Sequence, residues 1–350
     1  MSFKQIASSI LLAVIACTAS AGNAPRKSVT EYELLQRIPK ERLRVLIGDS
    51  RPDDQGFIGT NHRAGQWIEA GTQRGSCRTV IYGVVTGDLA TADDAWRGIE
   101  TTFAHQRADG GFEANDRPNG ASAKPFGAAV ETAFFFLQEF GRAILVIRQS
   151  PHEKHFHERI VALEPKLRRA MAFVASGYDT IITNSTHAVN RIVIAAKAFG
   201  LCGLALHDDQ LIATSRKLIA HALTRRDKDG VFIEKNGRDS SYNAVSILFG
   251  QTLALHLPIP DFEAALPKAV AWQLTTIRPN GEVDVTGNTR TGVGKEQSYF
   301  GEPKTVNYGE IVQALTMYGL AKNDKTALAT ADRVFAFWRA SVASPNTKKS

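Results

Sequence analysis

Cysteine is scarce in this chain: Cys17, Cys77 and Cys202 are the only three in 350 residues. None belongs to a C-x-x-C pair, which excludes a dithiol redox motif, and no spacing suggests a zinc site. Long apolar runs are missing as well. The apolar stretch from Ile10 to Ala16 is well short of the about 20 residues that a permanent membrane-spanning helix requires. Positive charge is in excess but nowhere concentrated. No Lys/Arg block and no interleaving of basic with aromatic residues occurs, which excludes the usual footprint of a nucleic-acid binder. A formal net charge of +7 favours anionic partners without identifying one.

What the N-terminus does contain is an address. MSFKQIASSILLAVIACTASA carries one early cation, Lys4, then an apolar centre, then Ala19-Ser20-Ala21, the small-x-small pattern of a secretory cleavage site. Residues 1–21 are expected to be a signal peptide and the mature protein to be periplasmic or secreted from a bacterium. Val14-Ile15-Ala16-Cys17 also resembles a bacterial lipoprotein box. Lipidation of Cys17 is the second reading, and the only one that brings a membrane. Lys4 is the only charged residue in 1–21, so the mature charge is +6. An oxidising compartment would allow one disulfide between Cys77 and Cys202, and the sequence leaves open whether they meet. Residues 22–56 form an N-terminal segment with a helical pattern around Tyr32–Leu46, expected to pack over a groove or to link an anchor. Residues 57–343 read as one domain, and 344–350 as a disordered tail.

From about Asn61 onward the chain reads as helices joined by Gly- and Asp-rich loops. In the second half two kinds alternate. Ala188–Phe199, Tyr242–Leu255 and Ile311–Leu320 are apolar nearly all round; Asp208–Arg225, Phe262–Ile277 and Thr326–Trp338 carry charge on one side. A helix apolar all round must be enclosed, whereas an amphipathic one covers a neighbour with one face and meets water with the other. Strict alternation predicts an all-α protein, an incomplete α/α toroid of roughly five to six helical hairpins. Gly177-Tyr178-Asp179, Lys228-Asp229-Gly230 and Pro279-Asn280-Gly281 end outer-type helices, at intervals of about fifty residues, the scale of a two-helix unit. An earlier relative is Arg107-Ala108-Asp109-Gly110-Gly111-Phe112.

Loop length distinguishes the two rims. Inner-to-outer connections are short, as in Leu201–His207 and His256–Pro260, while Arg226–Ser241 and Arg278–Thr305 are long. Long loops in a compact domain are usually functional, and helix N-termini favour anions. The cleft is therefore expected where inner helices start. A helix beginning near Ser185 in TNSTHAVNR would align Asn184, His187 and Arg191 along one stripe, with Asn190 beside them. The next inner start brings Arg238 and Tyr242; the following segment adds Lys295, Tyr299, Asn307 and Tyr308. Asn61, His62 and Trp67 open an earlier helix and are groove candidates. Capping alone explains Ser185 and competes for Asn184.

These residues resemble a family. A toroid with Asn and His at one inner-helix start and Arg and Tyr near the next is similar to the alginate-lyase-type polysaccharide lyases. The resemblance assigns catalysis to Asn184, His187, Arg238 and Tyr242, although Ser185-Thr186 separates the Asn and His that are adjacent in that family. It implies β-elimination on an acidic, uronate-containing polysaccharide such as alginate, with no cofactor and no metal. Asn184 and Arg238 would neutralise the carboxylate, and His187 or Tyr242 would move the proton. A tyrosine base needs a phenol that ionises below the usual pH of about 10, which a neighbouring guanidinium assists. Two other readings stay open. One is a glycoside hydrolase drawing two carboxylates from Asp109, Glu113, Glu131, Glu234, Asp239 and Asp284. The other is a non-catalytic carbohydrate-binding toroid.

Overall fold

A computed structural model describes residues 29–116, 126–298 and 300–343. The expected signal peptide, the expected lipidation site at Cys17, Tyr299 and the tail lie outside the described residues. Fourteen α-helices occur among them: α1 (Glu31–Gln36), α2 (Lys40–Leu43), α3 (Thr60–Ala64), α4 (Arg74–Thr86), α5 (Leu89–Ala104), α6 (Phe126–Gln149), α7 (Glu153–Ser176), α8 (Tyr178–Asn184), α9 (Val189–Leu206), α10 (Asp209–Leu223), α11 (Ser240–His256), α12 (Pro260–Thr275), α13 (Tyr308–Lys322) and α14 (Lys325–Ala343). Among the described residues strand pairing is confined to isolated bridges.

The helices α4, α6, α9, α11 and α13 touch in that order and form the inner wall of an α/α toroid; α5, α7, α10, α12 and α14 each follow one of them on the outside. Composition dictates the two roles. Nearly every side chain of α9 from Val189 to Leu206 is buried, Lys197 included, so the helix must be enclosed. Its mean hydropathy of 1.6 would suit a membrane span, but 89% of it is covered by protein. In α10 only Leu211, Ser215, Leu218, Ile219 and Ala222 are buried, one stripe at helical spacing. Between α13 and α4 the ring is completed by a π-helical turn at Arg44–Gly48, which touches both.

The outer-to-inner repeat has a structural form. Gln106 pairs with Phe112, Arg226 with Phe232, and Ile277 with Val283, each closing a turn around a glycine at positive φ: Gly110, Gly230 and Gly281. Each turn packs on the outer helix of the next pair, at Arg169, Lys268 and Arg333. Gly177 is not a member. Its φ is −94°, and it leads straight into α8.

Two further expectations change, and one open question is answered. The helix carrying Asn190 starts at Val189, not near Ser185, because Ala188 is drawn into an extended bridge with Glu234 (φ −143°, ψ 81°). That helix runs on to Leu206, and only His207, in the left-handed region at φ 54°, and Asp208 separate it from α10. Cys77 and Cys202 are buried free thiols, and Cys202 Sγ donates to Leu137 O at 3.3 Å. Burial pushes the Cys202 thiol up to about 12.

The described part of the N-terminal segment does not pack over the groove. Helix α1 reaches α4, α6, α11 and α13 and inserts Glu31 against Arg142 and His256, both at 2.6 Å. His256 is the last residue of α11, so α1 plugs the end of the toroid away from the inner-helix starts. A buried ionic chain continues inward: Arg142 to Glu139 at 3.1 Å and Glu139 to Lys197 at 3.2 Å.

Candidate active site at the inner-helix rim

A cavity of about 450 Å³ opens at the rim where the inner helices begin. Its wall is built from their first two or three turns: Arg74 and Arg78 of α4, Glu131 and Phe135 of α6, Asn190, Arg191 and Ile194 of α9, Tyr242, Val245 and Phe249 of α11, and Glu310 of α13. The long loop between α12 and α13 contributes Arg290, Gln297, Ser298 and Lys304. Five cationic side chains face three carboxylates, Glu69, Glu131 and Glu310. Five helix N-termini point the same way and add positive potential. The balance of charge on the wall is therefore positive.

Tyr242 forms the centre of the most ordered part. Asp239 caps α11, its Oδ1 accepting from the Ser241 and Tyr242 amides at 3.0 and 3.1 Å. The other oxygen of Asp239 accepts from the Arg290 and Thr291 amides at 2.8 and 2.9 Å. One carboxylate thus fixes the helix start and draws the long loop onto it. The Arg290 guanidinium then lies 3.8 Å from the Tyr242 ring centroid. It donates to Glu234 at 2.7 Å, to Asn190 Oδ1 at 3.2 Å and to both oxygens of Glu296 at 3.1 and 3.2 Å. Burial opposes its charge, but Tyr242, Glu234 and Glu296 outweigh burial and hold it above the ordinary arginine range. Glu296 is shared with Lys235 at 2.5 Å and Lys304 at 2.6 Å. Burial works against that carboxylate too, and the three cations hold it well below the usual range. Glu234 is different: burial lifts its carboxyl to about 7 against the pull of Arg290 and the Asn190 amide.

The structure brings Tyr242, Asn190, Arg191 and Asn307 into this cavity, together with Glu131 of the candidate acids, and leaves Asn184, His187, Arg238, Asn61, His62, Trp67, Lys295 and Tyr308 off its wall. Asn184 ends α8 and His187 lies in the turn before α9, both exposed; neither lines the wall, because the chain is extended at Ala188. Arg238 faces outward to Asp227, at 2.6 Å, and to Asp229. Asn61 is buried in structural work, donating to Glu69 O at 3.0 Å and accepting from the Ile68 amide at 2.8 Å. His62 is exposed and meets Asp53 at 3.1 Å. Trp67 is buried, stacked 4.0 Å from His105, with Nε1 donating to Glu113 O. Lys295 is exposed on the loop. The Tyr308 ring packs 5.8 Å from Phe337, toward the outer layer.

Sequence reasoning missed Arg74, Arg78, Glu131's partner role, Glu69, Arg290, Lys304 and Glu310. One signal was available. RGSCR starts an otherwise apolar helix with arginines at its first and fifth positions, where the helix dipole disfavours cations. Arg191, at the third position of α9, repeats that anomaly and pairs with Glu131 at 3.2 Å. Among the described residues no cluster of three or more His, Cys, Asp or Glu could hold a metal ion.

No family model matches the chain, and no curated relative does. Solved structures with a similar course exist. An unsaturated glucuronyl hydrolase from Bacillus sp. GL1 matches with a TM-score of 0.49 at 13% identity, over 84% of this chain and 96% of that one. Cellobiose 2-epimerase from Bacillus thermoamylovorans B4167 gives 0.48 at 12% identity, over 89% and 86%. An α-1,6-mannanase of Salegentibacter sp. HEL1_6 gives 0.36 at 12% identity, over 86% and 98%. At these identities and scores the likeness bears on neither site nor activity.

Proposed function

We propose that this protein is an exported lyase that cleaves an acidic, uronate-containing polysaccharide by β-elimination. The observation that carries the reading is Tyr242 under the Arg290 guanidinium, beside Asn190, in a cavity with more cations than carboxylates. The proton alpha to a uronate carboxylate becomes removable only when the carboxylate charge is offset. Arg290, Arg191 and Asn190 stand where they could offset it, a preorganised electrostatic role. Tyr242 is the proton-transfer group. Its phenolate takes the alpha proton, the carbon–carbon double bond forms, the beta carbon–oxygen bond breaks, and the phenol returns the proton to the leaving oxygen. A guanidinium over the ring stabilises the negative charge that the phenol carries during transfer. Asn190 and Arg290 thereby replace Asn184 and Arg238 in the roles that the family resemblance implied.

A second reading is kept because three carboxylates share the same wall. Hydrolysis would use two of Glu69, Glu131 and Glu310 as acid and base or nucleophile. One experiment separates the two. The mature protein is incubated with alginate, polyglucuronate and neutral glucans while ultraviolet absorbance of the unsaturated product end and new reducing ends are followed together. The lyase reading expects both signals to rise on a uronate polymer, and Tyr242→Phe to slow them by about 10²–10⁴-fold, the range for general acid–base groups. Reducing ends without the absorbance, lost in Glu131→Gln and not in Tyr242→Phe, would establish hydrolysis instead.

A further inference from the structure

The cations of the cavity are not equally satisfied. Arg290, Lys304 and Arg191 each hold a carboxylate already, on Glu234, Glu296 and Glu131. Across the cavity, Arg78 has no hydrogen bond to any described residue, and its Nε is buried without a partner. The nearest carboxylate oxygens, on Glu139 and Glu310, are 3.4 and 3.8 Å away, beyond good hydrogen-bond geometry. Glu139 is moreover committed to Arg142 and Lys197. One turn earlier on the same face, Arg74 makes a single hydrogen bond among the described residues, to Gly71 O at 2.7 Å. Its guanidinium lies 5.5 Å from the Phe135 ring centroid. Burial, then the Arg78 charge beside it, hold its pKa below the ordinary arginine value. Two adjacent guanidinium groups at the positive end of a helix, one of them held only by ion pairs too long for good hydrogen bonds, keep donors free for an anion.

We propose that Arg74 and Arg78 form a second anion-binding pole, so that the ligand carries carboxylates on two neighbouring sugar units. The proposal rests on the uronate reading and narrows it to polymers with consecutive uronates. Both poles open on one cavity of about 450 Å³, so a ligand that reaches both spans no more than a few rings. A planar guanidinium fork suits a carboxylate better than a point charge does. Arg78 is assigned the bidentate contact and Arg74 the flanking charge.

The test is calorimetric titration of the mature protein carrying Tyr242→Phe, which removes turnover and leaves binding to be read. The probes are a diuronate and a disaccharide of one uronate and one neutral sugar. Adding Arg78→Gln is expected to weaken diuronate binding by about tenfold or more, the worth of a hydrogen bond to a charged group. It should also flatten the salt dependence, leave the single-uronate sugar unaffected, and be partly reversed in Arg78→Lys. Equal weakening of both sugars, or no weakening, overturns the second pole. If Arg78→Gln fails to fold, Arg74→Gln carries the same expectation and the same refutation. If the Tyr242→Phe parent binds both sugars and loses only the diuronate with Arg78→Gln, while wild-type protein never yields unsaturated product from a uronate polymer, the pole stands and the lyase reading fails; a parent that binds neither sugar overturns both.

Discussion

Arg290 reaches two carboxylates, an amide oxygen and an aromatic face, and every anchor except Glu296, six residues on in the same loop, comes from a segment distant in the chain. The anchor most sensitive to pH is Glu234, whose carboxyl burial lifts from 4.5 to about 7. A carboxyl with a folded pKa above its unfolded value binds its proton more tightly when folded, so it contributes less stability as pH rises. Between about pH 4.5 and 7 wild-type stability should therefore fall relative to Glu234→Gln, by roughly 3 kcal/mol over the interval, and level off above it. Urea unfolding of both proteins at pH 5 and pH 8 measures this difference; parallel pH profiles would rule it out. The same residues show what was legible in the sequence. Tyr242, Asn190 and Arg191 could be placed at the rim because each opens a helix whose apolar pattern follows directly. Arg290 could not. Its position depends on the side chain of Asp239, fifty-one residues earlier, accepting from its amide, and no local pattern encodes that. Asn184 and His187 looked like part of the same helix start, but one extended residue, Ala188, moves them outside.

At the scale of the helical unit, the alternation of enclosed and amphipathic helices was readable because it rests on composition, and the five inner–outer pairs follow it. Boundaries were less readable. Capping by Asp208 and the left-handed His207 decide where α9 and α10 meet, a geometry with no periodic signature. The turn repeat was visible as Asp-Gly and Asn-Gly pairs, but its reason lies in the next outer helix. A Cβ on Gly281 would stand 2.1 Å from Arg333 O, and φ there is +91°. Gly287 has a similar φ of +81° and nothing within 4 Å. Gly287→Ala should therefore cost only the conformational penalty of about 1–2 kcal/mol, whereas Gly281→Ala adds a collision with backbone that cannot move without shifting α14. Equilibrium denaturation should rank Gly281→Ala as the more damaging by at least about 1 kcal/mol. Equal costs would mean that the turn does not bear on the outer layer, and the repeat would be a coincidence of turn chemistry.

For the whole molecule the two ends of the toroid hold different electrostatics. The wall of the rim cavity carries more cations than carboxylates, while the opposite end is closed by α1 through a buried cluster of paired charges. Glu31 is completely buried and bridges α6 and α11 by way of Arg142 and His256. Burial alone would raise its pKa, yet Arg142 and then His256 bring it down to about 2. Glu139, deeper in the chain of charges, is likewise held well below the usual range, burial being outweighed by Lys197, Arg142 and Arg78. Removing one member of a buried cluster leaves its partners uncompensated, a loss of about 3–5 kcal/mol. Glu31→Gln should therefore destabilise the whole protein by about that amount, although α1 has only six residues. The sign with pH is opposite to that of Glu234. A depressed carboxyl contributes its full stability above about pH 4.5 and loses it as pH falls toward about 2. Wild-type protein should lose stability steeply in that acid window, and Glu31→Gln, already without the contribution, should show a shallower acid limb. Because α1 touches four of the five inner helices, the loss should appear as one cooperative transition shifted to lower denaturant. A separate early transition, with the rest of the unfolding curve unmoved, would show that α1 detaches alone and that the toroid stands without its plug.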